Sequence, residues 1–448
     1  MAKGNGITRG DRNRNRQKAG LREVVRRDCV ILAVDLGEDK QAAAVMDHEG
    51  RVLGRKTVLK KAHRLGGLLE WAAGVAARKG FAGVTVACEP TGHRWKALMG
   101  LADAAGLGFV CVQPLAVARA RESDDYTLGK TDNRDTLLIG TLARELKCYL
   151  PEREDACWAR LRHLGARRAG VGCDLRACGQ QVLDLLGCCW PAALETARHP
   201  ADSVTWLAAV WVVASGCGGR PETLRAMGYE AFRAAAREEL PRWGAKRTCG
   251  RIVRALWDAL ADPAGVAAQR PGALERIALI MGDWRDLRHK LADTEQRMLA
   301  ALDDLGLTRL AGSIPGISAL SAAAMLAESG DPSRFASARA LVKHAGLNPS
   351  EHTSATLAGK TRISRRGRPG LRTAAWRAVW AALNHNPVLQ AKYQHLTSRD
   401  TNRLAPGQAR AACAAAVLRW LYSVITTRQA WDPAVAAGQA APAVAAAA

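Results

Sequence analysis

Apolar residues recur with two different periods along the chain. Continuous or alternating apolar runs in the first third predict buried strands at residues 29–35, 41–46, 51–58, 83–88 and 108–112. Helical spacing between these runs predicts helices at about residues 62–79 and 92–105, and a last helix that begins near Asp132. The predicted order is therefore three strands, helix, strand, helix, strand and helix.

This order predicts an α/β domain of the RNase H-like type at residues 28–150. An antiparallel meander of three strands is extended by parallel strands, because a crossover helix returns the chain in the same direction. Asp35 and Glu89 each follow a buried strand and would end neighbouring strands at one sheet edge. Asp132 and Asp135 share one face of the last helix and would lie over that edge.

Four carboxylates at one edge would repel one another unless a cation lay among them. Hard oxygen ligands suit Mg²⁺ or Mn²⁺, and a pair of such ions can activate a nucleophile and stabilise the leaving oxygen of a phosphodiester. The candidate metal ligands and catalytic acids are Asp35, Glu89, Asp132 and Asp135. The alternative is that these acids only occupy strand ends and a first helical turn, where the helix dipole favours them.

The pattern then changes to helix. Apolar residues three and four apart run from 161 to 185 and again from 277 to 298, which is typical of a coiled-coil seam. We assign the two arms to residues 151–189 and 273–303, and expect either an antiparallel hairpin or an arm that dimerises with another protomer. Three glycines are expected to weaken the first arm as a helix: Gly165, Gly170 and Gly172.

The remaining segments are distinguished by composition. Residues 190–272, between the arms, are rich in Trp and Ala and predict a compact helical insert with tryptophans in its core. Residues 1–27 hold nine Lys or Arg against two acids with almost no apolar period, which predicts a disordered basic arm. Residues 431–448 are expected to form a disordered Ala-rich tail.

Charge indicates the partner. Lys and Arg number 65 against 42 Asp and Glu, a formal net charge of +23, which favours a polyanion such as nucleic acid. No apolar run approaches the roughly 20 residues that span a bilayer, and the N-terminus lacks the pattern of a signal peptide. The twelve cysteines complete no metal-binding spacing, so we expect reduced thiols. These features predict a cytoplasmic protein that binds nucleic acid rather than a membrane, which for a bacterial chain means association with the nucleoid.

The C-terminal half, residues 304–430, is predicted to be mainly helical and basic. Ser313–Ile317 resembles a helix-hairpin-helix turn, whose glycine lets backbone N–H groups approach a phosphate, although an ordinary Pro-Gly connection is the alternative. Residues 359–372 hold six basic residues and no acid beside a hydroxyl-rich loop, which suits holding a phosphate near a nucleophile. The candidate nucleic-acid contacts are Lys130, Gly316, Lys360, Arg362, Arg365, Arg366, Arg368 and Arg372.

Several short motifs occur together in one order. They are A-V-D-L-G at Asp35, C-E-P-T-G-H at Glu89, K-T-D-N-R-D at Asp132 and Asp135, I-P-G-I at 314–317, and A-G-L-N-P…T-S-A…G-K-T-R-I-S-R-R-G…L-R at 345–372. In this combination the chain resembles the DEDD transposases of insertion-sequence family 110, relatives of the Piv-type DNA invertases. The resemblance covers roughly residues 29–150 and 275–425.

The resemblance implies a RuvC-like N-terminal domain, an α-helical coiled coil and a mainly α C-terminal transposase domain with a catalytic serine. It implies a recombinase of donor and target DNA guided by a bridge RNA, with Mg²⁺ at the acids and a covalent phosphoserine intermediate. By motif the serine is Ser354. The family's active site pairs one protomer's acids with another protomer's serine, which implies a homo-oligomer, from dimer to tetramer.

Two departures and two other functions stay open. The family usually has Ser-Gly at the nucleophile, whereas this chain has Ser354-Ala355, and Ala tolerates fewer backbone conformations. The insert at 190–272 also lengthens the chain beyond the usual pattern. A Mg²⁺-dependent junction resolvase or nuclease that uses activated water is the first alternative function. A non-catalytic nucleic-acid-binding protein is the second.

Overall fold

The computed structural model describes residues 7, 9–59, 62–124, 131–153, 155–216, 221–350, 353–354, 357–358 and 362–438. The chain divides into two compact units, Met1–Arg153 and Glu154–Ala448. The first unit is mixed α/β. The second is helical except for four strands of two residues each within its described ranges.

The first unit is built on a five-stranded sheet with the order β3-β2-β1-β4-β5. Strands β1, β2 and β3 are antiparallel neighbours, whereas β4 and β5 continue parallel to β1. The predicted meander and its parallel extension are therefore confirmed. The strands are β1 (Cys29–Leu36), β2 (Lys40–Met46), β3 (Val52–Leu59), β4 (Gly83–Cys88) and β5 (Gly108–Cys111).

Helices cover both faces of this sheet, so its central strands are buried on both sides. Apolar residues of α2 and α3 form the core on one face, and those of α1, α4 and α5 form the core on the other. The helices are α1 (Arg9–Val24), α2 (Ala62–Arg78), α3 (Arg94–Ala104), α4 (Pro114–Asp124) and α5 (Asp132–Arg144). The sequence predicted one helix after β5, and the structure has two.

The prediction of a disordered basic arm is wrong for residues 9–24, which form α1. Leu21 and Val25 are each only 3% exposed, because they pack into the core beneath the sheet. The Thr85 hydroxyl also donates a hydrogen bond to the Val24 carbonyl, at 2.8 Å. Tertiary packing of a few apolar residues stabilises a helix that its composition alone does not predict.

The two predicted arms form a helical hairpin within the chain. Arg160 pairs with Asp304 at 2.5 Å and Arg168 with Glu295 at 2.7 Å, so the two helices run antiparallel. The helices are α6 (Ala156–Cys189) and α12 (Arg270–Asp304). The supercoil of a coiled coil stays a prediction.

Two glycines of α6, Gly165 and Gly179, lie at close contacts with neighbouring helices. A Cβ at Gly165 would lie 2.5 Å from the Ala327 Cβ, and one at Gly179 would lie 3.2 Å from the Trp284 ring. The contact at Gly165 leaves no room for a Cβ, and the contact at Gly179 leaves little. The helix continues through Gly165, Gly170 and Gly172, and the expectation that these glycines weaken it stays a prediction.

The insert between the arms is helical, with α7 (Ala192–Glu195), α8 (Val204–Gly216), α9 (Pro221–Met227), α10 (Tyr229–Glu239) and α11 (Gly250–Ala259). Trp206 is fully buried and Trp243 is 1% exposed, as expected for core aromatics. They pack in one core with apolar residues of α6 and α12. The insert is therefore anchored on the helical hairpin.

The C-terminal part is mainly helical, with a short strand region between two of its helices. The helices are α13 (Thr308–Ala311), α14 (Ala319–Ser329), α15 (Ala338–His344), α16 (Pro369–His385), α17 (Pro387–Ser398), α18 (Pro406–Thr427) and α19 (Pro433–Ala436). Between α15 and α16, β6 (Pro349–Ser350) pairs with β9 (Arg362–Ile363), and β7 (Thr353–Ser354) pairs with β8 (Leu357–Ala358).

The prediction of a disordered tail at residues 431–448 is wrong for its first residues, 431–438. The Trp431 ring lies 5.6 Å from that of Trp420, and the Trp431 amide donates a hydrogen bond to the Ser313 hydroxyl at 2.9 Å. An aromatic contact and α19 thus order the chain to 438, and residues 439–448 lie outside the described residues. The eleven cysteines in the described ranges are free thiols, and no described helix is long and apolar enough to cross a membrane.

Gly140 lets α5 pack closely on the sheet, and replacing it tests this contact. A Cβ there would clash with the Met46 Sδ, and Met46 is 1% exposed and cannot move away freely. We expect Gly140→Ala to destabilise the chain by about 1–3 kcal/mol through overpacking. Urea unfolding measures the change.

Gly100→Ala in α3 is the matched control, because a Cβ there meets no atom within 4 Å. This variant should be neutral or stabilising by up to about 1 kcal/mol, since Ala has the better helix propensity. Equal effects of the two substitutions would contradict a packing role for Gly140.

Candidate functional site

Two of the predicted acids lie at neighbouring strand ends. In the parallel register of β1 and β4, Val34 lies beside Cys88. Asp35 and Glu89 each come next along their strands, so both lie at the same edge of the sheet. Both residues are half-buried. Strand order thus brings together two acids that are 54 positions apart in the sequence.

Asp132 lies at this edge as well. Thr131 caps α5, its hydroxyl accepting a hydrogen bond from the Arg134 amide at 3.3 Å, and α5 packs across β1 and β2. The Asp132 carboxylate pairs with the Lys40 ammonium at 3.3 Å. Because Lys40 begins β2 opposite the end of β1, Asp132 lies over the same strand ends as Asp35.

Asp135 has different surroundings from the other acids. It is 3% exposed, and its Oδ1 accepts hydrogen bonds from Arg121 Nε at 2.9 Å and Nη2 at 2.6 Å. Arg121 belongs to α4 and is itself largely buried. This carboxylate is therefore neutralised by a guanidinium group beneath α5.

Other cations hold the loops at the same edge. Arg94, at the start of α3, donates a hydrogen bond to the Gly37 carbonyl in the turn between β1 and β2. Arg55 Nη1 donates to the Asn133 carbonyl at 3.1 Å. Sequence reasoning missed these residues, although Arg94 follows the motif of Glu89 by only five positions. Of the predicted contacts, Lys130 lies outside the described residues.

The donor chemistry of these acids suits a hard divalent cation. Among the described residues, no three His, Cys, Asp or Glu side chains lie close enough to hold an ion. Lys40 and Arg121 supply the positive charge for Asp132 and Asp135 instead. Asp35, Glu89 and Asp132 thus lie at one edge of the sheet, and Asp135 is engaged below it. Their role as metal ligands stays a prediction.

The predicted serine lies in a β-hairpin. Ser354 ends β7 and pairs in register with Leu357 of β8, and only the backbone of these strands is described. Outside this pair, β6 and β9 continue the strand region as a second antiparallel pair. Lys360 lies outside the described residues.

Two chain segments form a scaffold next to the hairpin, at residues 344–350 and 362–368. The Ser364 amide donates to the Asn348 carbonyl at 2.9 Å, and its hydroxyl donates to Asn348 Oδ1 at 2.7 Å. Backbone bonds continue this pairing further along, from the Arg365 amide to the Gly346 carbonyl at 3.0 Å and from the Arg368 amide to the His344 carbonyl at 2.7 Å. The two segments that flank the hairpin in the sequence are thereby paired with each other between α15 and α16.

Glycines are required where these segments cross. Gly346 has φ +69°, and Gly367 has φ +149°. A Cβ on Gly367 would clash with the His344 carbonyl oxygen, and a Cβ on Gly346 would lie 2.9 Å from the Arg365 carbonyl carbon. Both residues belong to the motifs quoted above, and their positions give those glycines a structural reason.

The predicted basic contacts divide into two groups. Arg368 pairs with Glu328 at 3.1 Å, and Arg372 donates to the Ala345 carbonyl at 3.0 Å, so both stabilise the scaffold. The other group is exposed and available to a phosphate backbone: Arg362, Arg365 and Arg366.

Gly316 has a packing role. It has φ +78°, and a Cβ there would lie 2.6 Å from the Ala382 Cα in the backbone of α16. The turn of residues 313–317 is therefore pressed against α16, and a close helix contact explains its glycine. Phosphate contact at Gly316 stays a prediction.

His344 is held neutral within the scaffold. Burial and the guanidinium groups of Arg334, Arg368 and Arg162 lower the pKa of His344 to about 4. Its ring centroid lies 5.2 Å from that of Phe335, and its Nε2 has no hydrogen-bond partner among the described residues. Protonation there would place a further cation among arginines.

Removing Arg121 should leave the Asp135 charge buried and unpaired. We expect Arg121→Ala to destabilise the chain by about 3–5 kcal/mol in urea unfolding. Lys40→Ala is the control, because it removes a partner from Asp132, whose side chain is 46% exposed. An exposed pair contributes about 0–1 kcal/mol, so similar losses in both variants would contradict a buried ion pair.

The lowered pKa of His344 predicts a loss of stability as the pH falls from its ordinary value of 6.5 to about 4. In this window the unfolded chain binds a proton that the folded chain does not, which favours unfolding by up to about 3 kcal/mol. Urea unfolding at several pH values measures the slope. His344→Gln should reduce it, whereas His385→Gln, at an exposed residue, should leave it unchanged. A slope that His344→Gln leaves intact would exclude this group as its source.

Comparison with known proteins supports the motif resemblance. Residues 32–191 match the model of the DEDD transposases of IS110, and residues 308–394 match the model described as "Transposase IS116/IS110/IS902 family". An "Insertion element IS110 uncharacterized 43.6 kDa protein" of Streptomyces coelicolor is 26% identical over 276 residues. That match covers 60% of this chain and 65% of the relative, slightly less than two thirds of its length. With both domain models matched in order, the chain belongs to the IS110 family of insertion-sequence transposases.

Proposed function

We propose that this protein is a DNA transposase that cuts and rejoins the strands of an insertion sequence through a covalent serine intermediate. The observation that carries the proposal is the Ser354 hairpin on a glycine-dependent scaffold with exposed arginines. Its reactive groups are the Ser354 hydroxyl and the acids Asp35, Glu89, Asp132 and Asp135. The family that the chain belongs to gives the substrate class, which is DNA.

The first unit supports an RNase H-like assignment. Its sheet combines an antiparallel meander with two parallel strands, and acids follow the ends of the two central parallel strands. Carboxylates at this edge suit Mg²⁺ or Mn²⁺, which would supply Lewis-acid stabilisation of phosphate charge when bound. Asp35, Glu89 and Asp132 are the proposed ligands. Asp135 would join them only on exchanging its contact with Arg121.

In the proposed serine step, one phosphorus–oxygen bond replaces another. The Ser354 oxygen forms a bond to phosphorus while one phosphorus–oxygen bond to a sugar breaks, the serine proton leaves, and the departing sugar oxygen gains a proton. A second strand's hydroxyl reverses the same exchange and releases the serine. Because one phosphodiester replaces another, rejoining needs no external energy source. The exposed Arg362, Arg365 and Arg366 are suited to balance negative charge on the phosphate.

The proposed partners are donor DNA, target DNA and a guide RNA of the bridge type. The net charge of +23 supports binding of this much polyanion. A homo-oligomer of two to four protomers is proposed with them, because the family resemblance implies that acids and serine come from different protomers.

Ser354→Ala tests the nucleophile directly. Purified protein is incubated with guide RNA and cognate DNA, denatured, and examined for a protein–DNA adduct. We expect the variant to lose adduct formation on the order of 10³-fold or more, as for other removed nucleophiles, and to keep DNA binding. Thr353→Ala is the control at the neighbouring hydroxyl in β7 and should still form the adduct.

Other outcomes identify other functions. An adduct that persists in Ser354→Ala would show that a different residue attacks. Cleavage by the wild type without any adduct would indicate a hydrolytic nuclease or junction resolvase. Unchanged activities in Asp35→Asn and Asp132→Asn would indicate a non-catalytic binding protein.

A further inference from the structure

The region after the serine hairpin carries unusually uniform charge. Residues 352–399 contain nine Lys or Arg and no Asp or Glu. Helices α16 and α17 come from this region. A segment with this excess of positive charge attracts a polyanion, although Glu328 of α14 pairs with Arg368 at the start of α16.

One face of α16 is exposed along its length. Its outward residues are spaced four, three and four positions apart, as one face of a helix requires: Thr373, Arg377, Trp380 and Asn384. Trp380 is 50% exposed, which is uncommon for so large an apolar side chain. The opposite face packs into the core through residues such as Leu371 and Val379.

The Trp380 ring is held in place by a cation. The guanidinium carbon of Arg410, in α18, lies 4.3 Å from the Trp380 ring centroid and 5.7 Å from that of Tyr393, in α17. Arg410 Nε is buried without a hydrogen-bond partner among the described residues. Three helices thus fix an exposed indole with a guanidinium group against it.

A fixed and half-exposed aromatic ring among cations has the features of a base-stacking site. Bases stack on aromatic side chains irrespective of sequence, and nearby cations contact the strand's phosphates. Arg377 lies three positions before Trp380 on the same helical face, at a distance suited to a neighbouring phosphate. A second copy of this chain would bring its own net charge of +23 to a segment that already carries nine Lys or Arg, which disfavours self-association there.

We propose that Trp380, held by Arg410 and Tyr393, stacks against an unpaired base of single-stranded nucleic acid, with Arg377 at an adjacent phosphate. This proposal rests on the proposed function in one respect, because it takes nucleic acid as the class of ligand. It adds a defined contact to an unpaired nucleotide, and it places that contact on α16.

Fluorescence anisotropy with short oligonucleotides tests this contact. The probes are a 12-nucleotide oligouridylate, a 12-nucleotide oligothymidylate and an abasic strand of the same length and charge, measured in EDTA so that no strand is cut. We expect Trp380→Ala to weaken binding of the base-bearing strands on the order of tenfold. Binding of the abasic strand should stay unchanged. If Trp380→Ala weakens binding of the oligouridylate more, the ligand is RNA. If it weakens binding of the oligothymidylate more, the ligand is DNA.

Two variants control for structure. Trp380→Phe keeps an aromatic face and should retain most of the affinity. Leu279→Ala removes another exposed apolar side chain, 69% exposed in α12, and should not change binding. Arg410→Gln should weaken base-bearing strands more than the abasic one, because it releases the indole.

Three results would overturn the proposal. These are an unchanged affinity in Trp380→Ala, an equal loss for base-bearing and abasic strands, or a change of oligomeric state in light scattering with unchanged affinity. Because these measurements involve no strand cleavage, a failure of the serine mechanism would leave them unaffected. Loss of stacking would equally leave the adduct test of Ser354 informative.

Discussion

The buried ion pair between Arg121 and Asp135 fixes the helices that cover the acidic edge of the sheet. A carboxylate that is 3% exposed is costly unless a cation compensates it. Arg121 meets that need with two hydrogen bonds, and so joins α4 to α5. With α5 held on β1 and β2, Asp132 reaches the strand ends at which Asp35 and Glu89 lie.

Arginines also join chain segments by internal hydrogen bonds in the second unit. Arg368 and Arg372 turn inward to a carboxylate and a carbonyl, and they hold the two segments that carry the serine hairpin. The exposed arginines at 362, 365 and 366 are then presented on a fixed backbone. A chain with so large a positive charge thus divides its arginines between internal hydrogen bonds and an outer surface suited to phosphate.

The helical hairpin shows how packing can reverse an expectation from propensity. Glycine is a poor helix former, yet α6 contains Gly165 and Gly179, against which α14 and α12 pack directly. The N-terminal segment was likewise predicted to be disordered and forms a helix. Leu21 and Val25 pack on an apolar surface that only the folded sheet supplies. Both results follow from contacts between residues far apart in the sequence.

The sequence by itself determined the strand order, the two acids at central strand ends, the long helical arms and the excess of positive charge. Each of these depends on local apolar spacing or on composition, which a single chain displays directly. Only the tertiary structure decided that Arg121 neutralises Asp135, that Gly316 packs on α16, and that some predicted phosphate contacts are internal. These depend on which surfaces meet after folding, and local spacing carries no information about the partner of a side chain.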